Sequence, residues 1–169
     1  ETGPVSSPTA SFAYDLTGNL TSDGTNSYVY DPENRKTSAS GPDLPGATLE
    51  YDGLGRLREA AHPVPVYGMR YLYDADQLVG EYSPVDGALR VRYVHGVGID
   101  DPVAEYHATY GRRFYHADER GSIIAAADRD ATLIGTNNYS DRGNPGAGNH
   151  SRFQYTTQQY LEETGPHSL

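Results

Sequence analysis

A tyrosine–aspartate pair recurs along this chain of 169 residues: "YDLTGNL" from 14, "YDPENRK" from 30, "YDGLGRL" from 51 and "YDADQLV" from 73. Looser copies follow, "YVHGVGI" from 93, "YHADERGSI" from 115, "YSDRGNP" from 139 and "YTTQQYL" from 155. The successive tyrosines stand 16, 21, 22, 20, 22, 24 and 16 residues apart. A period near twenty holds one strand, a turn and a second strand, and is too short for a pair of helices. Its irregularity allows loops of different length between units.

The residue types inside each copy supply a mechanism. Asp15 stands where a type I turn begins, and its carboxylate can accept hydrogen bonds from the turn's own amides. Gly18, three residues on, suits the left-handed conformation that closes such a turn into a hairpin with a glycine bulge. Asp31 with Asn34 repeats the device, asparagine being the next residue to tolerate that backbone. Asp52 with Gly55 repeats it again, and Asp74 marks a fourth tip. The pattern predicts an all-β chain: consecutive antiparallel hairpins forming a curved, spiralling sheet.

Between the tips the apolar residues alternate. In "LRVRYV", Leu89, Val91 and Tyr93 share one face; in "YGMRYLY", Tyr67, Met69, Tyr71 and Tyr73 do. Such rows are cross-strand packing ladders or, if exposed, a platform for stacking sugars. No stretch has the period of an amphipathic helix. Loops fall at "GPDLPG", "HPVPV" and "RGNPGAGNHS". The expected organisation is a flexible segment over 1–11, a repeat β-sheet domain over 12–161 and an irregular tail over 162–169. The absence of an initiating methionine suggests a processed product or a piece of something longer.

Composition narrows the function classes. Twenty-three acidic residues against thirteen basic ones give a formal charge of −10, which repels phosphate backbones and anionic membranes. No nucleic-acid partner is expected. The longest apolar run, Ile123 to Ala127, is too short to span a bilayer. The mean hydropathy of −0.68 argues against one thick core. Fifteen tyrosines and no tryptophan suit surfaces that are half apolar and half wet. With no cysteine, disulfides and thiolate metal sites are excluded.

The ordered series "YDxxGNL", "YDPENRKTSASG", "YDxxGRL", "YVHGVGIDDPVAEY" and "FYHADERGSIIAAAD", followed by "RFQYTTQQY", resembles the Rhs or YD-repeat proteins over roughly residues 12 to 165. In particular it resembles the C-terminal part of the bacterial repeat-associated core. The resemblance implies hairpins joined edge to edge into a shell that encloses a C-terminal toxic cargo, in a parent protein that is secreted or displayed at the cell surface. It implies containment rather than catalysis. The aspartyl self-cleavage segment of the family would lie beyond residue 169, so no cleavage residue carries over. Two departures stand out: Thr157 occupies a usual glycine position, and Lys36 a usual leucine position.

Chemistry on the sheet remains a competing possibility. His95, Asp101, His116 and Asp118, with Asp100 beside them, lie on neighbouring units. If they converged, they could hold a divalent metal and activate water, although no zinc spacing is present. In the alternative, His95 and His116 fill the turn position that aspartate takes elsewhere and bond the backbone. No serine elbow, phosphate loop or dinucleotide fingerprint appears, so no organic cofactor is expected. Three functions follow in order: a non-catalytic shell segment, a small metal-assisted hydrolase, and a carbohydrate-binding platform. An open sheet with long unpaired edges would also form homo-oligomers through those edges.

Overall fold

A computed structural model describes residues 11–42, 44–98 and 100–161; the segment 1–10 and the tail 162–169 lie outside the described residues. Thirteen strands form one antiparallel sheet in strict chain order, an uninterrupted meander with two open edges. They are β1 (Ala13–Tyr14), β2 (Leu20–Ser22), β3 (Ser27–Tyr30), β4 (Lys36–Gly41), β5 (Leu44–Tyr51), β6 (Leu57–Ala61) and β7 (Met69–Asp74). They continue as β8 (Gln77–Tyr82), β9 (Leu89–His95), β10 (Pro102–His107), β11 (Gly111–Ala117), β12 (Ile123–Asp128) and β13 (Leu133–Thr136). Among the described residues, a single-turn 3-10 helix, Pro65–Tyr67, lies between β6 and β7, and another, Tyr155–Thr157, follows β13.

Neighbours in sequence are neighbours in space because the connections are short, which favours antiparallel pairing. The predicted all-β hairpin architecture is thus observed. The edges differ from expectation: β1 has two residues and β13 four, so the unpaired rows of amides are short.

One face of the sheet carries the core. Leu49, Ala60, Tyr71, Leu78, Val91, Tyr93, Tyr115, Ile123 and Ala126 contribute from β5 to β12, and Phe153 meets them from outside the sheet. A smaller cluster, Tyr28, Ala39 and Leu44, serves the N-terminal strands. Tyr71 and Tyr93 are buried, as the alternation predicts, whereas Tyr67 sits in a 3-10 turn and is exposed. The predicted tyrosine ladder is therefore mostly packing surface.

After β13 the chain crosses back over this face as a strap, residues 149–161. Phe153 places its ring edge-on to Tyr93, with centroids 4.9 Å apart, and to Tyr115 at 6.5 Å. The Ile123 amide donates to Gln154 O, and the Thr156 amide to Ser122 Oγ. The strap gives the meander the second layer that a one-sided sheet needs to bury its apolar face.

Candidate functional site

The turn aspartates build the most regular chemistry in the chain. At Asp15, Oδ1 accepts the amides of Thr17 and Asn19 at 2.9 and 2.8 Å, Gly18 N–H bonds Asp15 O, and Asp15 N–H bonds Asn19 O. The same four bonds recur at Asp31–Arg35 and Asp52–Arg56. They recur again at Asp118–Ser122, Asp128–Thr132 and, with a serine hydroxyl as the acceptor, at Ser140–Asn144. The fourth residue has positive φ each time: Gly18, Asn34, Gly55, Gly121, Ala131 and Gly143.

These bonds favour the ionised carboxyl. Hydrogen bonds from the Asn19 and Thr17 side chains hold Asp15 down at about 2, from a usual 3.8. The Arg35 amide lowers Asp31 and the Arg56 side chain lowers Asp52. Asp74 behaves differently: it is the last residue of β7, paired with Gln77 across a two-residue reversal in which Ala75 has positive φ.

The residues singled out for hydrolysis take separate roles. Asp118 caps its own turn. His116 lies in β11, exposed and opposite Ala125, two residues short of the turn position expected of it. His95 ends β9; its Nε2–H donates to Leu78 O at 2.7 Å, and its ring stands edge-on to Phe153. The alternative of two histidines replacing turn aspartates is therefore corrected, since both are strand residues and Asp118 does the capping. Asp101 packs its carboxylate against Gly96, where a Cβ would stand 2.2 Å from Oδ2. Asp100, at positive φ, shares a recess of about 180 Å³ with His95. Among the described residues, no three His, Asp or Glu side chains are gathered to hold a metal ion.

A larger polar site lies between the sheet and the strap. Glu81 on β8 and Glu105 on β10 are buried. Glu81 accepts from Tyr93 Oη at 2.8 Å and from Arg152 at 2.6 and 3.2 Å. Glu105 accepts from Tyr115 Oη and from Arg113 at 3.1 Å. Burial, and then the nearby Glu81 carboxylate for Tyr93 or Glu105 for Tyr115, pushes both phenols well above their ordinary range. A buried carboxylate with two charge-assisted donors is satisfied, which is why such acids are tolerated beneath the strap.

These carboxylates form the floor of a cleft of about 710 Å³, walled by the β6–β7 connection, by β7 to β11 and by the strap. The sequence reading passed over both. In "LVGEYS" and "PVAEYH" each acid is alone among apolar residues. A β-bulge on β8 in its pairing with β7 also shifts the inward parity, so that Leu78 and Glu81 are both buried although three residues apart, and a bulge on β10 precedes Glu105.

No family model matches the chain. It is 32% identical over 168 residues to the tRNA3(Ser)-specific nuclease WapA of Bacillus spizizenii and to the tRNA nuclease WapA of Bacillus subtilis, in each case covering 94% of this chain. The chain spans 7% of the length of these relatives. It is similar in structure to a chain in the crystal structure of TcdB2-TccC3-TEV, at 14% identity and a TM-score of 0.46, covering 78% of this chain and 8% of that one. A chain in the TcdB2-TccC3 crystal structure gives 17% identity and a TM-score of 0.43, covering 79% and 9%. No helix among the described residues is long and apolar enough to cross a membrane.

Proposed function

We propose that this chain is a wall segment of a larger Rhs-type toxin protein, a stretch of YD-repeat sheet that helps enclose a cargo and performs no catalysis itself. The observation that carries the reading is the six-fold recurrence of one capped turn along a meander in strict chain order. That geometry extends by repetition and has no need of a unique site. The WapA relatives, named as tRNA nucleases, are far longer than the segment they share with this chain, which leaves room for nucleolytic chemistry elsewhere in such a protein. A charge of −10 also makes this segment a poor surface for tRNA.

Incubating the isolated chain with total tRNA tests this directly. The expected result is intact tRNA and no shifted band at low salt. Cleavage that copurifies with the folded chain would overturn the reading. Self-association belongs to the same proposal: the exposed Leu133 on edge strand β13 and the exposed Tyr14 on edge strand β1 favour pairing between copies. Light scattering at about 50 µM, a concentration at which weak contacts of this kind are populated, is expected to show a species heavier than the monomer. A clean monomer would remove the edge-pairing element.

A further inference from the structure

The cleft above Glu81 and Glu105 has a donor surplus that the wall function leaves unused. Both carboxylates are already engaged by tyrosines and arginines. Arg90, at the β-bulge of β9, also lines the cleft and makes no ion pair among the described residues. Its charge adds to the Ser83 hydrogen bond in lowering the Asp86 carboxyl, without a direct ion pair.

Two histidines add hydrogen-bonding groups, one of them a directed donor. His107 Nδ1 accepts the amides of Thr109 and Tyr110 at 3.0 and 3.3 Å, which fixes the ring proton on Nε2. His62 Nδ1 lies 2.9 Å from the Val64 amide and 3.1 Å from Val64 O, so this ring can meet a ligand as either tautomer. An imidazole held as His107 is, with Nδ1 occupied by amides, offers an N–H, not a lone pair, and so suits an oxygen acceptor better than a metal. Burial holds His107 below its ordinary value, with the Glu105 carboxylate opposing and the Arg113 charge reinforcing it.

An aromatic wall completes the site. Tyr67 is 63% exposed at the rim, and His62 meets it edge-to-face at 5.3 Å, so at least one face of the phenol ring is clear of that neighbour. A cation, a fixed N–H donor, a second imidazole and a ring face in a cleft of this volume match a small ligand with one negative group and several hydroxyls.

We propose that the cleft binds a small anionic sugar, a sugar acid or a sugar phosphate, with the negative group at Arg90, one hydroxyl accepting from His107 and another bonded to His62, and the pyranose face against Tyr67. This site differs from a platform made of the strand tyrosines, whose rings are mostly buried.

The test is a titration of the whole chain, followed by amide NMR shifts, with glucuronate, glucose 6-phosphate, glucose and inorganic phosphate as separate probes. Saturable shifts at cleft residues are expected for at least one of the two anionic sugars, with a Kd of about 1 mM or tighter. Which one binds identifies the acid or the phosphate. Arg90→Gln and Tyr67→Ala should each weaken binding about tenfold, equivalent to ~1.4 kcal/mol, whereas Tyr14→Ala at the far edge should leave it unchanged. Glucose or bare phosphate binding as tightly as the anionic sugars would overturn the proposal. So would an unaltered affinity in Arg90→Gln, or no saturation by either anionic sugar at about 20 mM.

Discussion

Arg152 and Glu81 stand 71 residues apart in sequence and form a two-point ion pair, with Nε to Oε1 at 2.6 Å and Nη2 to Oε2 at 3.2 Å. Their side chains are 8% and 3% exposed. The pair ties the strap to the middle of the sheet, while Arg152 also donates to Tyr160 O and lies over the Tyr71 ring. A meander of local hairpins has few contacts that span the chain, so this pair, with the Phe153 ring and the hydrogen bonds of Gln154 and Thr156, holds the second layer in place.

Replacing one partner leaves the other charge buried without its counterion, a loss of about 3 kcal/mol. Glu81→Gln should therefore lower the urea midpoint strongly. The double variant Glu81→Leu/Arg152→Met, which removes both charges, should lose clearly less than the two single changes summed. Additive losses in urea titrations would show that the pair acts as two independent residues.

Acid should act through the turns. Asp15, Asp31 and Asp52 all have folded values below the usual 3.8. The unfolded chain thus binds protons first as pH falls. The stability these carboxylates supply is complete well above pH 3.8 and is lost on the way down toward the folded values, about 2 for Asp15. Asparagine keeps an acceptor oxygen but cannot titrate. The triple variant Asp15→Asn/Asp31→Asn/Asp52→Asn is expected to show a shallower decline between about pH 4 and pH 2, measured as thermal midpoint against pH. An unchanged slope would assign acid lability to other groups.

The turns were legible in the sequence because their cause is local: an acid, two tolerant positions and a residue that accepts positive φ. The copies at Asp128 and Ser140 obey the same rule without the tyrosine–aspartate pair, so counting from the tyrosine missed the first and misplaced the acceptor in "YHADERGSI" by two residues. The rule that finds all six is an acid or serine three residues before glycine, asparagine or alanine. The cleft was not legible. Its acids become inward-facing through bulges, and its roof is a segment 71 residues away from Glu81, so neither parity nor spacing along the chain announces it.

Lys36 is an internal misfit that can be relieved. Its Nζ lies 4.7 Å over the Tyr28 ring beside the smaller core cluster, and burial lowers its value below the usual 10.5. A lowered lysine makes the fold gain stability as pH rises from the folded value toward 10.5, because the unfolded chain then holds more protons. Lys36→Leu should raise stability at neutral pH by about 1 kcal/mol through added apolar burial, even after losing the cation–ring contact. It should also remove that alkaline gain. Urea midpoints at pH 7 and pH 10 would check both; a loss at pH 7 would mean that the ring contact outweighs desolvation.

Thr157 shows the same turn backbone built with the wrong residue. The Gln154 amide donates to Gln158 O and the Thr157 amide to Gln154 O, as in the six capped turns, yet Thr157 holds a φ of 59°. A β-branched side chain in the left-handed region costs about 1–2 kcal/mol, which glycine does not incur. Its Cγ2 lies 3.7 Å from where a Cβ on Gly121 would stand, so a left-handed residue of the strap packs against a left-handed residue of the β11–β12 turn. Thr157→Gly should therefore stabilise the chain by about 1 kcal/mol, the strain relieved being partly offset by glycine's greater unfolded entropy. Gly121→Ala, at a φ of 83°, should lose about 1 kcal/mol. Opposite shifts in the thermal midpoint for the two substitutions are the expected result. Shifts of the same sign would mean that packing between strap and sheet, rather than backbone strain, sets the energy of this contact.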